Sequence, residues 1–444
     1  MTDASRKPAR EFSTAEALAY MIGAIGIQLL STMMLEWAAI YYHPPEGADK
    51  IRYTTMGLAS LIMIIGILSD AISDPMVGYW SDRSRSRLGR RRPFIIYGSP
   101  LACVSFVLFW FPPLAHERWL NFAWGAFWAM AFFWGLTLVI IPYIALLPEM
   151  ARSTGGRVKL GVYQAVGMIL GLVLGFASGI LITKIGVKAT GALFGAVSFA
   201  TFQFAGWTVK ERFVQSEDDA PGSLRQMGAQ LAGTLKNRPF LIFLAAETIF
   251  TLGFTVIQIV LPDYNMVILG KEEDFVTLLF LPFLLVCFPL IFVIEPVVKK
   301  WNTRITYASG LFGFAILFPL LGLIGLVPDP GLRIVLLLIM VGLAGAPQAV
   351  KYVMPGPLIG EIADYDEKHM TGRRREAIYS GAIGFAMKTA MMLSYGVRYA
   401  VYAPFGEFSV RNHAPVLLIG PVTAVICMIG FFVFLKYPDM SKQE

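Results

Sequence analysis

SDAISDPMVGYWSDRSRSRLGRRRPF, residues 69–94, begins inside an apolar run and ends in a loop that holds six arginines beside Asp82. The run covers 54–80, and about 20 apolar residues suffice for a helix to cross a bilayer. A stretch that is apolar for that length and then turns abruptly basic reads as a membrane span meeting its cytoplasmic loop. Two aspartates, Asp70 and Asp74, nonetheless lie within the run.

Eleven further runs of comparable length follow the same pattern: 14–42, 94–112, 119–147, 159–183, 189–208, 240–269, 274–298, 304–327, 332–359, 375–403 and 414–437. Those longer than 25 residues are expected to tilt or to extend beyond the hydrocarbon. Composition agrees. Of 444 residues, 56% are hydrophobic and only 15% charged, against about 25% charged in a soluble domain. The sequence therefore predicts an all-α membrane protein of twelve spans, multi-pass in the plasma membrane (the inner membrane in a bacterium).

The net charge of +7 does not indicate nucleic acid, because the basic residues sit in short loops. Counted with the N-terminus in the cytoplasm, that side receives 26 Lys and Arg and the other side 8. Only Lys351, Lys388 and Arg398 remain inside spans. By the positive-inside rule both termini are cytoplasmic. Cys103, Cys287 and Cys427 lie in apolar runs without a pairing pattern and read as buried hydrophobes. The polar N-terminus carries no signal segment.

The longest loop, 209–238, divides the chain into 1–208 and 239–444, six spans each. Within it, Ser223 is placed to cap a short surface helix with Leu224, Met227, Leu231 and Leu235 at helical spacing. The halves echo one another: PEMARSTGGR (148–157) follows span four and GEIADYDEKHMTGRR (360–374) follows span ten. Parallel six-helix repeats with substrate held between them are the organisation of the major facilitator fold.

An ionisable group inside a span costs about 2.5–3.5 kcal/mol on insertion scales, so each is a functional candidate. Asp70 and Asp74, four apart, share one helical face, and Ser73 sits beside them. Two carboxylates so close repel, and a bound Na⁺, Li⁺ or proton relieves that repulsion. Carboxylates and a hydroxyl are also the oxygen ligands that hard cations prefer. Lys388 lies roughly 20 Å into span eleven, near the midplane, and needs a counter-ion. The span-two acids supply it, so a cation entering there must share them with Lys388. The competing reading is a static salt bridge between the halves.

Gln28 and Glu36 in span one, Thr137 in span four, Gln164 in span five and Glu247 in span seven are candidates to face a central cavity. Trp124, Trp128 and Phe132 share a face of span four, for stacking on a sugar ring or for the lipid interface. Asp82, Arg83, Arg87, Glu149, Glu295, Glu361, Asp364 and Arg373, near the cytoplasmic ends, are expected in gating pairs, with Lys351 beside them. Arg398 is expected to snorkel towards the outer surface. Pro142, Pro148, Pro347, Pro355 and Pro357 fall where helix bending bears on gating.

Enzyme chemistry is not expected. The four histidines lie in loops without metal-ligand spacing, and no P-loop, nucleotide fingerprint or nucleophile elbow occurs. No cofactor, nucleic acid or obligate protein partner is expected; the partners are the bilayer, a small solute and a coupling ion. Energy must come from a gradient.

Three stretches, DAISDPMVGYWSDRSRSRLGRRRP (70–93), IPYIALLPEM (141–150) and EIADYDEKHMTGRRREAIYSGAIGFAMK (361–388), resemble the glycoside–pentoside–hexuronide:cation symporters, the family of the melibiose carrier. The resemblance implies cation-coupled transport of a sugar or glycoside by alternating access. It implies cation ligation at Asp70, Ser73 and Asp74, a further ligand near Thr137, and the family's span-eleven lysine at Lys388. It also shows departures. Where the melibiose carrier holds its galactoside with two acids, this chain has Gln28 and Ile140, and the family's span-five arginine falls near Ala165, beside Gln164. A different solute is implied. Animal relatives of that family carry lysophospholipids, which leaves a lipid-like substrate, or uncoupled facilitation, as the alternative; a transporter-derived sensor is a remoter one.

Overall fold

The computed structural model describes residues 11–212, 233–372, 376–406 and 408–438, without the side chains of 154, 295 and 377. Ser223 and the linker helix expected around it lie outside the described residues. The first six helices are α1 Thr14–Tyr42, α2 Met56–Asp82, α3 Arg92–Phe109, α4 Trp119–Met150, α5 Thr154–Phe176 and α6 Ser178–Thr208. The second six are α7 Arg238–Tyr264, α8 Glu273–Ile294, α9 Pro296–Gly325, α10 Pro330–Thr371, α11 Glu376–Tyr402 and α12 Ala414–Phe434. No strand occurs among the described residues, because backbone groups in lipid must be satisfied within their own segment.

Eleven of these are long and apolar enough to cross a membrane on their own. The twelfth is α11, which carries Lys388 and Arg398. Starts are fixed by side-chain caps. Ser13 and Glu16 form a capping box at α1, Asn237 caps α7 and Asp329 caps α10. Two tight reversals replace expected loops: Gly186 (φ 82°) turns the chain within α6, and Asn302 (φ 67°) breaks the continuous helical stretch of α8 and α9.

In the first half α1 packs on α5 and α6, α2 on α4, and α3 on α4 and α6. In the second, α10 and α12 pack on α8–α9, and α11 and α12 on α7. Across the halves α2 meets α11, α6 meets α8, and α1 meets α7. The α1–α5 seam depends on glycine. A Cβ at Gly167 would stand 2.1 Å from the Met21 carbonyl, one at Gly171 2.6 Å from that of Ile25, and one at Gly175 2.6 Å from Thr32. Small residues let backbones approach this closely. Gly167→Val is expected to lever α5 off α1 at a cost of about 1–3 kcal/mol or more, read as a lowered melting temperature and loss of the monodisperse peak.

At the end opposite the termini the halves are sewn together. Glu46 N donates to the Phe408 carbonyl (2.7 Å), Val410 N to Glu46 O (2.9 Å), and Arg52 Nη2 to Phe408 O (2.8 Å). Lys50 pairs with Glu273, Thr277 Oγ1 donates to Phe176 O (2.7 Å), and Phe176 stacks on Phe280 at 3.8 Å.

His43, just past α1, is buried there with Nδ1 2.8 Å from the Thr54 carbonyl. A carbonyl only accepts, so Nδ1 carries the hydrogen. Burial lowers its pKa to about 4, and the positive charges of Arg52 and Arg398 act the same way. Because the folded value lies below the ordinary 6.5, the contribution is complete above pH 6.5 and is lost as pH falls towards 4. It is on the order of 3 kcal/mol. Unfolding measured from pH 7 to 4 should show a steeper loss of stability in the wild type than in His43→Gln.

Candidate functional site

Asp70 and Asp74 project from one face of α2, one turn apart, into the seam with α4 and α11. Pro75 follows directly and has no N–H to offer the Ala71 carbonyl, so the α2 backbone is loosened beside the acids. Hydroxyls form a relay behind them: Ser73 Oγ donates to Thr137 Oγ1 (3.0 Å), which donates to Asp70 Oδ1 (2.5 Å) and lies 3.4 Å from Asp74 Oδ1. Lys388, reaching across from α11, sets Nζ 2.8 Å from Asp70 Oδ2 and 2.5 Å from Asp74 Oδ2. Five residues singled out in the sequence thus meet at one point between the halves. With both acids ionised and the lysine charged, the formal charge is −1, one cation short of neutrality. The Asp74 side chain is 28% exposed and that of Lys388 19%, so the cluster has access to solvent.

A second cluster lies within α7–α12. Glu247 of α7 accepts from Tyr307 Oη (2.5 Å) and from Lys351 Nζ (3.0 Å), and all three are buried. Glu247 therefore clamps α7 to α9 and α10 rather than facing a central cavity. A third cluster escapes the sequence reading. Arg398 does not snorkel: it is wholly buried, with Nε 2.7 Å and Nη2 3.1 Å from the two carboxylate oxygens of Asp263, which also accepts from Tyr402 (3.0 Å).

At the end bearing the termini, Glu149 is buried and accepts from Arg90 Nη2 (2.5 Å) and Arg91 Nε (3.0 Å), and Arg91 also pairs with Asp82. Glu211, at the start of the linker, caps α3 through the backbone N–H groups of Arg90, Arg91 and Arg92. Arg83 lies over the Tyr79 ring (3.9 Å), while Arg87 is exposed. In the other half Glu361 accepts from Thr303 (2.7 Å) and Tyr437 (3.4 Å), and Asp364 is exposed. Arg373 and the Glu295 side chain lie outside the described residues. Apart from Glu211 of the linker, the partners named here sit within single halves.

The remaining candidates are dispersed. Gln28 donates to Thr32 one turn on (3.3 Å), Gln164 is half-buried on α5, and Glu36 is buried. Trp128 is half-buried edge-on to Trp124 (5.6 Å), and Phe132 is buried against Phe106, so this face of α4 is packed inside the first half.

Twelve long helices among the described residues, eleven of them long and apolar enough to cross a membrane, stand in two sets of six with charged side chains meeting between the sets, the architecture of a secondary transporter. The MFS/sugar transport protein family matches residues 19–435, and the chain belongs to that family. It is an integral, multi-pass membrane protein that moves a small-molecule solute and is not an enzyme. It is 23% identical over 445 residues to the "Uncharacterized symporter YnaJ" of Bacillus subtilis, covering 97% of this chain and 92% of that one. It is 29% identical over 175 residues to the mouse "Sodium-dependent lysophosphatidylcholine symporter 1", where the match spans 38% of this chain and 32% of the relative. The crystal structure of the nucleoside transporter NupG superposes with a TM-score of 0.69 at 11% identity, over 96% of this chain and all of the other; at that identity the likeness concerns the fold.

Proposed function

We propose that the protein is a cation-coupled symporter of a sugar-like polar solute. One observation carries this reading: Lys388 of one half is shared by Asp70 and Asp74 of the other, backed by the Ser73–Thr137 relay. A Na⁺ or a proton entering the cluster completes its neutrality and competes with the ammonium for the same carboxylates. Ion occupancy then changes how strongly α11 is held to α2, and hence how the halves sit. Residues 1–208 and 239–444 act as the two moving units, with 209–238 as their tether, and both termini lie in the cytoplasm. On that orientation the conformation described above is sealed on the outside. Resemblance of residues 70–93, 141–150 and 361–388 to the glycoside–pentoside–hexuronide:cation symporters supports this reading.

Coupling by this route is reciprocal: if cation tightens solute binding, solute tightens cation binding by the same factor. The decisive experiment is uptake of a sugar and glycoside panel into proteoliposomes under imposed Na⁺ or proton gradients. Accumulation driven by one gradient is the expected result. Transport indifferent to both would make the protein a facilitator. A second reading, a lysolipid carrier, draws on the similarity to the sodium-dependent lysophosphatidylcholine symporter. Inhibition by lysolipids but not by sugars would favour it.

A further inference from the structure

Glu36 belongs to none of the clusters above. It lies on α1, its side chain is 1% exposed, and neither carboxyl oxygen has a hydrogen-bond partner among the described residues. The residues around it on the helix define its setting. One turn before it, Thr32 abuts Gly175 of α5 and accepts from Gln28. The carbonyl of Leu35 receives the Tyr395 hydroxyl (2.9 Å), and Trp37 Nε1 donates to Ser178 (2.8 Å). One turn after Glu36, Ile40 joins Trp37 in the wall of a cavity of about 520 Å³, which the paired Lys50 and Glu273 also line at the end opposite the termini. Residues four apart share a helix face, so Glu36 sits directly beneath that wall.

The ionisable groups on the elements packed against α1 are engaged elsewhere or remote. Asp70 and Asp74 hold Lys388, Glu247 holds Lys351, and Asp263 holds Arg398. Tyr143 is paired with Tyr20, Glu149 with Arg90 and Arg91, and Tyr264 donates to the Leu321 carbonyl. Arg157 and Lys159 of α5 are exposed near the opposite end, and Lys184 and Lys188 of α6 are exposed at its bend.

We propose that Glu36 is a proton-binding site, separate from the Asp70–Asp74–Lys388 cluster: its carboxyl carries a proton while the seam opposite the termini is closed. When the seam opens, the proton passes to water in the adjoining cavity. An ionised carboxylate buried without a partner is far costlier than a neutral acid. A metal cation is the poorer occupant, because hard cations need several ligands, while no hydrogen-bonding group of the described residues reaches this carboxyl and no metal-holding group of three acids, histidines or cysteines occurs among them. A proton needs none. The inference does not rest on the cation reading of the α2 cluster.

Infrared difference spectroscopy on the full chain in proteoliposomes tests it at neutral pH. The expected result is a protonated-carboxyl C=O stretch that is lost in Glu36→Gln and retained in Asp74→Asn. If Glu36→Gln does not fold, uniform labelling of glutamate with ¹³C in the wild type must shift the same band, which aspartate labelling leaves in place. A band that survives Glu36→Gln, or one that moves with aspartate labelling alone, would overturn the proposal. Retention of the Glu36 band in a protein that shows no ion-coupled transport would sink the symporter reading and leave this one standing.

Discussion

Asp74→Asn is expected to bring gradient-driven solute accumulation down to simple equilibration. One charge moving with the solute through 100 mV carries about 2.3 kcal/mol, which at 1.4 kcal/mol per decade supports roughly 50-fold accumulation. The variant should reach about onefold while still exchanging labelled solute, because Lys388 keeps its 2.8 Å contact with Asp70 and the halves remain joined. Measured in proteoliposomes, the two numbers separate coupling from transport. Retained accumulation in Asp74→Asn would reduce the α2 acids to a structural bridge.

The largest stability effect is expected at Arg398. Both partners in the Arg398–Asp263 pair are fully buried and joined by two hydrogen bonds. Removing one member of a buried pair leaves an uncompensated charge and typically costs about 3–5 kcal/mol, a large share of the roughly 5–15 kcal/mol that holds a domain folded. Arg398→Met should therefore yield little monodisperse protein and a much lower melting temperature. Replacing both residues, as in Arg398→Met with Asp263→Leu, is expected to recover most of that loss, because apolar pairs often substitute for buried ions without penalty. A double variant no better than the single one would show that the guanidinium has a task beyond neutralising Asp263, such as its placement over the Tyr402 ring at 5.1 Å.

The spans and the α2 cluster were legible because lipid makes both conspicuous. Long apolar runs announce helices, and Asp70, Asp74 and Lys388 break such runs at a cost that pairing or a bound cation relieves. Asp263 obeyed the same rule inside 240–269 and was open to the same reading; only its register against α11 was not. Arg398 looked like a snorkelling residue because distance along a helix says nothing about which face is turned inward. Glu247 and Lys351 illustrate the same limit: each was visible as an intramembrane charge, but that they satisfy one another inside a single half depends on how α7, α9 and α10 pack. Backbone reversals at Gly186 and Asn302 were hidden for another reason. Asn302, in particular, is a non-glycine in a left-handed conformation, which no periodicity signals.

The glycine seam between α5 and α1 constrains the order of biogenesis. Gly167 and Gly171 accept only the bare backbone of Met21 and Ile25, yet roughly 150 residues must be translated between the two contact points, about 7–30 s at ordinary ribosomal speed. Throughout that interval α1 is an inserted helix without its principal neighbour, its buried carboxyl and glutamine facing lipid or the insertion machinery. A ribosome paused after the fourth span would thus hold a segment open to quality-control recognition, and codon speed between residues 43 and 167 becomes a determinant of yield.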